Sequence, residues 1–246
     1  MNGAAGTEPA LTATMLISHT HHDHIQGLPY FAPAYRAGTV LHVYGPRTYS
    51  DDLVHVLSRT MEPQYSPIRL DELNSQMNIH NLSDSEEIVL KRNSQDPEVR
   101  TAHQAPRRSD AEARVRVMRS YAHPKDGVFV FRVEVNDKSV VYATDTEGYV
   151  SGDRRLAEFA EGADLLIHDA QYTPDEYADA SFPKQGFGHS TYVMAAEVAE
   201  KAGAKNLVLF HHDPSHDDTR LAEMEKQTRE LFPNTTAGYE GLEYRF

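Results

Sequence analysis

Cysteine is absent from this chain of 246 residues. No disulfide framework and no thiolate metal site can form, so any metal must be held by imidazole and carboxylate groups. The absence suits a reducing compartment, and the cytoplasm is the expected location. No apolar run approaches the roughly 18 residues that a membrane span requires, and Met1 to Ala10 lack the basic region and apolar stretch of a signal peptide. No membrane partner is expected. Positive charge is also scarce, with 24 Lys and Arg against 37 Asp and Glu and a formal net charge of −13. Broad binding to nucleic acid needs a positive surface field and is disfavoured. The scarcity is uneven, because Lys91 to Arg119 carries a net +4 and leaves −17 on the rest.

Histidine, by contrast, is abundant, with 14 in the chain. His19-Thr20-His21-His22-Asp23-His24 reads H-x-H-x-D-H and packs ligands of two chemical types into six residues. Met15-Leu16-Ile17 just before it predicts a buried strand that ends and releases the histidines into a loop at a sheet edge. Active sites on α/β scaffolds sit at such strand ends.

The pattern along the chain predicts one domain over residues 1–246, with 1–13 disordered and 92–114 a long basic surface loop. Strands are expected at Val40 to Tyr44, Met77 to His80, Val115 to Ser120, Val128 to Val135, Ser139 to Thr144, Asp164 to Ile167, Asn206 to Phe210 and Glu243 to Phe246. Helices are expected at Ser50 to Arg59, Asp153 to Glu161, from Ser190 or Thr191 to Ala202 with Gly203 just beyond, and from Asp217 or Asp218 to Pro233. Several strands therefore run into a metal-binding type of residue: His123, Asp145 and His211 join the first cluster. Seven ligands are too many for one tetrahedral zinc and suit two metals that share a carboxylate.

The pieces His19 to Leu28, Ala122-His123-Pro124, Tyr142-Ala143-Thr144-Asp145-Thr146, Gly188-His189-Ser190-Thr191 and Leu209 to Pro214 resemble the metallo-β-lactamase superfamily. Within it they are similar to the branch of ribonuclease Z and related phosphodiesterases. The resemblance implies a four-layer αββα sandwich, here lacking part of the N-terminal β-sheet, since only eighteen residues precede His19. An exposed strand edge there would suit pairing with a second copy, so a homodimer is one expected partner state. It implies that His19, His21 and His123 hold one metal, that Asp23, His24 and His211 hold the other, and that Asp145 bridges them. The ions are expected to be Zn2+, with Mn2+ or Fe compatible with the same donors. Asp23 and His189 are the catalytic candidates, His189 as general acid or as a transition-state hydrogen-bond donor beside a helix start.

The reaction so implied is hydrolysis of cyclic nucleotides or other small phosphodiesters. Three alternatives stand beside it: an RNA-processing endonuclease of ribonuclease Z type gripping RNA through the basic segment, a lactone or thioester hydrolase, and a non-catalytic metal-bound module that senses nucleotides or pairs with a protein partner. His22, His42, His55, His80, His103, His212 and His216 lack a matching role. His168-Asp169 could support a ligand or simply end a strand.

Overall fold

The computed structural model describes residues 11–84, 86–92, 94–101, 113–149 and 151–246. Two compact units are present, Met1–Leu82 with Gln95–Pro97, and Ser83–Ser94 with Glu98–Phe246.

The first unit is built on β1 (Thr12–Leu16), β2 (Val40–Pro46) and β3 (Gln76–Leu82), a parallel sheet in that order. The crossover from β1 to β2 begins with the H-x-H-x-D-H run. Part of that run is helical: α1 (His22–Ile25) makes a single turn where a loop was expected. Its first residue follows His21, whose extended backbone starts the turn, and Gln26 N–H closes it on the His22 carbonyl. The expected helix near residue 50 is α2 (Leu53–Thr60), begun by Asp52, whose carboxylate accepts from His55 N–H at 3.0 Å. Leu53 and Leu57, one turn apart, pack with Ile17, Ile25, Leu41 and Val43 in the unit's core.

The second unit holds β4 (Glu86–Leu90), β5 (Glu98–Thr101), β6 (Ala113–Ser120), β7 (Val128–Val135), β8 (Lys138–Ala143), β9 (Leu165–Asp169), β10 (Leu207–Phe210) and β11 (Thr235–Ala237). They form one sheet in the order β11-β10-β9-β8-β7-β6-β4-β5. From β8 to β11 the neighbours are parallel, and from β8 back to β5 they are antiparallel. The parallel half is crossed by α3 (Arg154–Phe159), α4 (Pro174–Tyr177), α5 (Tyr192–Ala202) and α6 (Asp218–Leu231). Inward residues Val141, Leu166, Leu207 and Leu209 meet Leu156, Val198 and Met224 with a run of alanines from α3 and α5. Small side chains let these helices lie close to each other and to the sheet. Truncating a leucine such as Leu156 in this core costs on the order of 2–5 kcal/mol.

Three further expectations change. The stretch 92–114 is not all loop: Glu98–Thr101 pairs antiparallel with β4, Ile88 facing Val99, and Ala113 already belongs to β6. Its charged residues hid the strand because they pair on an exposed edge, as Arg100 does with Glu98 at 2.7 Å. Residues 102–112 lie outside the described residues, as do 1–10, whereas Thr12 and Ala13 of the segment expected to be disordered pair with Val40 and Leu41. Glu243–Phe246 forms no strand. The edge is taken instead by Thr235–Ala237, which the turn after α6 lays parallel to β10.

Candidate functional site

Strand direction explains where the second unit gathers its polar groups. β8, β9 and β10 are parallel neighbours, so their C-terminal ends share one sheet edge, and β6 points the same way two strands further along. Asp145, Asp169, His211 and His123 are the residues at or just past those ends. Two of them sit in the left-handed region, Asp145 at φ 49° and His211 at φ 57°. Asp and His are among the side chains that tolerate that conformation, and it turns the chain sharply at the tip of a strand.

The side chains then interlock. His211 Nε2 lies 3.3 Å from Asp145 Oδ1, and the Thr144 hydroxyl donates to Asp145 Oδ2. His189 Nδ1 donates to Asp169 Oδ2 at 2.8 Å. The other oxygen of Asp169 accepts the backbone N–H of Ser190 at 2.9 Å, so this fully buried carboxylate holds both the ring and its backbone. The His189 ring stacks on His211 with centroids 4.9 Å apart and 7° between planes, and meets His123 edge-on at 5.1 Å. Potential ligand atoms of His123, Asp145 and His189 lie within 4.8 Å of one another, as do those of Asp169, His189 and His211. The donors are imidazole and carboxylate, the set that a cysteine-free metal site requires.

Two residues outside the sequence-predicted set organise this region. In the sequence Asp169 stands out only as part of a His-Asp pair at a strand end, and no spacing rule links it to His189 twenty positions later. Glu147 carried no signal at all. Its carboxylate accepts N–H of Gly186 and Gly188 and the Tyr177 hydroxyl, shaping the turn that carries His189. Ser190 ties the same turn to the Asp145 loop, donating to the Thr146 carbonyl and accepting Gly148 N–H at 2.9 Å. Thr191 caps α5 by accepting Met194 N–H. Tyr172, edge-on to His189 at 6.1 Å, has its phenol pushed up to about 12 by burial and by nearby carboxylates, Asp213 first.

In the first unit His19 is buried at the end of β1, its Nδ1 3.2 Å from the Ser18 hydroxyl. Its ring lies 4.5 Å from that of His21 and 4.2 Å from that of His24, and His24 Nε2 is 3.1 Å from Asp23 Oδ2. The four motif ligands thus cluster around one turn of chain.

Six of the other histidines have structural partners. His55 belongs to the α2 cap, His80 stacks on Tyr44 at 5.0 Å, His216 pairs with Glu176 at 3.0 Å, and His212 meets the Gly238 carbonyl. His42 is buried 3.5 Å from Asp96, and burial pushes its pKa down. His168 is fully buried, its Nδ1 donating to the Asp169 carbonyl, and burial likewise lowers it. His103 lies outside the described residues.

The profile of the Beta-lactamase superfamily domain matches residues 4–212. Ribonuclease Z of Ignicoccus hospitalis is 31% identical over 246 residues, covering 91% of this chain and 77% of that protein. Ribonuclease Z of Trichodesmium erythraeum is 36% identical over 110 residues, covering 44% of this chain and 32% of that protein. The chain spans about a third of the length of several ribonuclease Z relatives that it matches. Among solved structures, the metallo-beta-lactamase fold protein YhfI from Bacillus subtilis is similar with a TM-score of 0.61 at 18% identity, over 93% of this chain and 75% of that one.

Proposed function

The chain belongs to the beta-lactamase superfamily, in its ribonuclease Z-like branch, and on that footing we propose that it is a binuclear metal-dependent hydrolase of small phosphodiesters such as cyclic nucleotides. In this reading His19, His21, Asp23 and His24 of the first unit and His123, Asp145 and His211 of the second supply the metal ligands, with Asp145 as the bridging carboxylate. Two divalent ions, zinc first among them, would lower the pKa of water toward neutrality and offset charge on the phosphate oxygens.

The observation that carries the proposal is the Asp169–His189 hydrogen bond of 2.8 Å. With Nδ1 committed to a buried carboxylate, His189 has Nε2 alone to offer a substrate. A protonated ring held there donates its Nε2 proton to the departing oxygen as water adds to phosphorus. Asp169 compensates the positive charge and fixes the ring plane, so the donor needs no rearrangement during reaction. Expected results are about two metals per folded chain by elemental analysis, hydrolysis of 2′,3′-cyclic AMP, and loss of that hydrolysis in His189→Ala. A metal-free chain that cleaves diesters, or an unaffected variant, would contradict the reading.

A second reading, endonucleolytic RNA processing, is supported by the relatives named ribonuclease Z. Against an extended RNA grip stands the use of the described basic residues within the fold. Arg100 and Lys91 pair with Glu98, Arg114 with Glu87, and Arg116 and Arg119 lie over Phe159 and Phe129. Cleavage of a tRNA precursor, with affinity falling steeply as salt rises, would favour the RNA reading.

A further inference from the structure

His22 is the one histidine of the H-x-H-x-D-H run without a ligand role, and its placement points to a binding site. In α1 the i, i+3 and i+4 spacing puts His22, Ile25 and Gln26 on one face and leaves Asp23 and His24 on others. The first three line a cavity of about 800 Å³ in the first unit, and Asp23 and His24 do not. That volume is within the roughly 300–1,000 Å³ of small-molecule pockets.

Tyr30, Val56, Arg59 and Tyr65 line the same cavity. Ile25 and Val56 supply apolar lining. Tyr30 and Tyr65 are 84% and 75% exposed, so their rings gain little from packing within the chain. Arg59 is held flat by a two-pronged pair with Asp51, Nη1 to Oδ2 at 2.9 Å and Nη2 to Oδ1 at 3.1 Å. That pairing neutralises its charge and leaves a rigid planar guanidinium. Three planar groups and an apolar lining suit a flat heteroaromatic ring better than a flexible acyl chain, because stacking rewards rigid planes.

We propose that this cavity is a nucleobase site, in which Tyr30, Tyr65 and the plane of Arg59 stack on the base of a nucleotide. One turn of helix then carries candidate metal ligands on one side and a wall of the base site on the other. The site sets which diesters are preferred and takes no part in bond cleavage. It rests on the phosphodiesterase reading only for its role in substrate choice.

The test is equilibrium binding of adenosine 5′-monophosphate and of ribose 5-phosphate by calorimetry, without turnover. Wild type should bind the nucleotide more tightly than the sugar phosphate. Tyr30→Ala and Tyr65→Ala should each weaken AMP about tenfold or more and leave ribose 5-phosphate unchanged. Tyr65→Phe, which keeps the ring, should stay within about twofold of wild type. Both tyrosines are exposed, so the variants keep the fold, which circular dichroism verifies. Equal binding of the two ligands by wild type, or alanine variants that bind AMP as wild type does, would overturn the site. AMP binding that depends on both tyrosines in a chain that cleaves no diester would uphold the site and overturn the phosphodiesterase reading. Efficient diester cleavage with tyrosine-independent AMP binding would do the reverse.

Discussion

His123 hangs from the turn that carries His189: its Nδ1 donates to the Gly188 carbonyl at 3.0 Å. The bond fixes the ring so that Nε2 is the atom left for a metal, the usual way in which a backbone carbonyl orients a ligating imidazole. Gly188 can approach so closely only because it has no side chain. Its φ is +89°, and a Cβ there would lie 2.3 Å from His123 Nδ1 and 2.5 Å from Pro124 Cδ. Gly188→Ala is therefore expected to displace His123, lowering metal content per chain and activity together. An unchanged metal content in elemental analysis would refute this coupling.

Removing the imidazole of His189 should reduce kcat for a diester with a poor leaving group by about 10²- to 10⁴-fold, the usual contribution of a general acid. A diester that releases p-nitrophenolate needs little protonation and should lose much less. Asp169→Asn should act through the same ring, so the double variant should be no worse than His189→Ala alone. Additive losses in the four-way kinetic comparison would assign Asp169 a separate role.

Chelation should remove activity and lower thermal stability together, because the clustered carboxylates and imidazoles lose the cation that compensates them. Restoring Zn2+ or Mn2+ should recover both. Melting temperature in the presence and absence of chelator is the direct readout, and an unchanged value would contradict metal binding by the folded chain.

The start of α5 makes a separate prediction. Thr191 accepts Met194 N–H at 3.2 Å, and Thr191→Ala should cost about 1 kcal/mol in urea unfolding, as the loss of an N-cap does. Thr191→Ser keeps the acceptor and should recover most of it.

Stability should also fall on mild acidification through His168. Burial holds its ring neutral in the fold and lowers its pKa from the ordinary 6.5. The unfolded chain takes up a proton as pH drops through that value, while the folded chain resists. Unfolding is thus favoured progressively below about 6.5, and the contribution is complete above it. The slope approaches about 1.4 kcal/mol per pH unit for one excluded proton. His168→Gln should show a flatter dependence between pH 7 and 5 in urea unfolding. Parallel slopes would mean that His168 is not the titrating group.

Most of the second unit was legible in order and in kind. Val128 to Val135 is rich in the β-branched and aromatic residues of a strand, with Val128 to Phe131 all buried and the exposed end at Val135, and the helix at Tyr192–Ala202 announces itself by Thr191 before it and Gly203 after, the latter at φ 58°. The buried strand β4 escaped, its apolar run being only Ile88 to Leu90 behind two glutamates, and so did elements whose burial pattern is weak. β5 has mostly exposed residues, and β11 is three residues long. The one-turn helix at His22–Ile25 is too short for any periodicity to register.

The sequence by itself determined which residue types are available for chemistry and where each falls relative to a strand end. With no cysteine and with H-x-H-x-D-H, His123, Asp145, His189 and His211 in order, it specifies an imidazole and carboxylate site on an α/β scaffold. Those are local properties, written in composition, spacing and periodicity. The tertiary structure alone decided that Asp169 grips His189, that Glu147 shapes the glycine turn, and that His22 faces a cavity with Tyr30 and Tyr65. Such partnerships join residues 20, 41 and 43 positions apart. Strand order, parallel register and the direction of each side chain create them, and none of these has a signature within a short window of sequence.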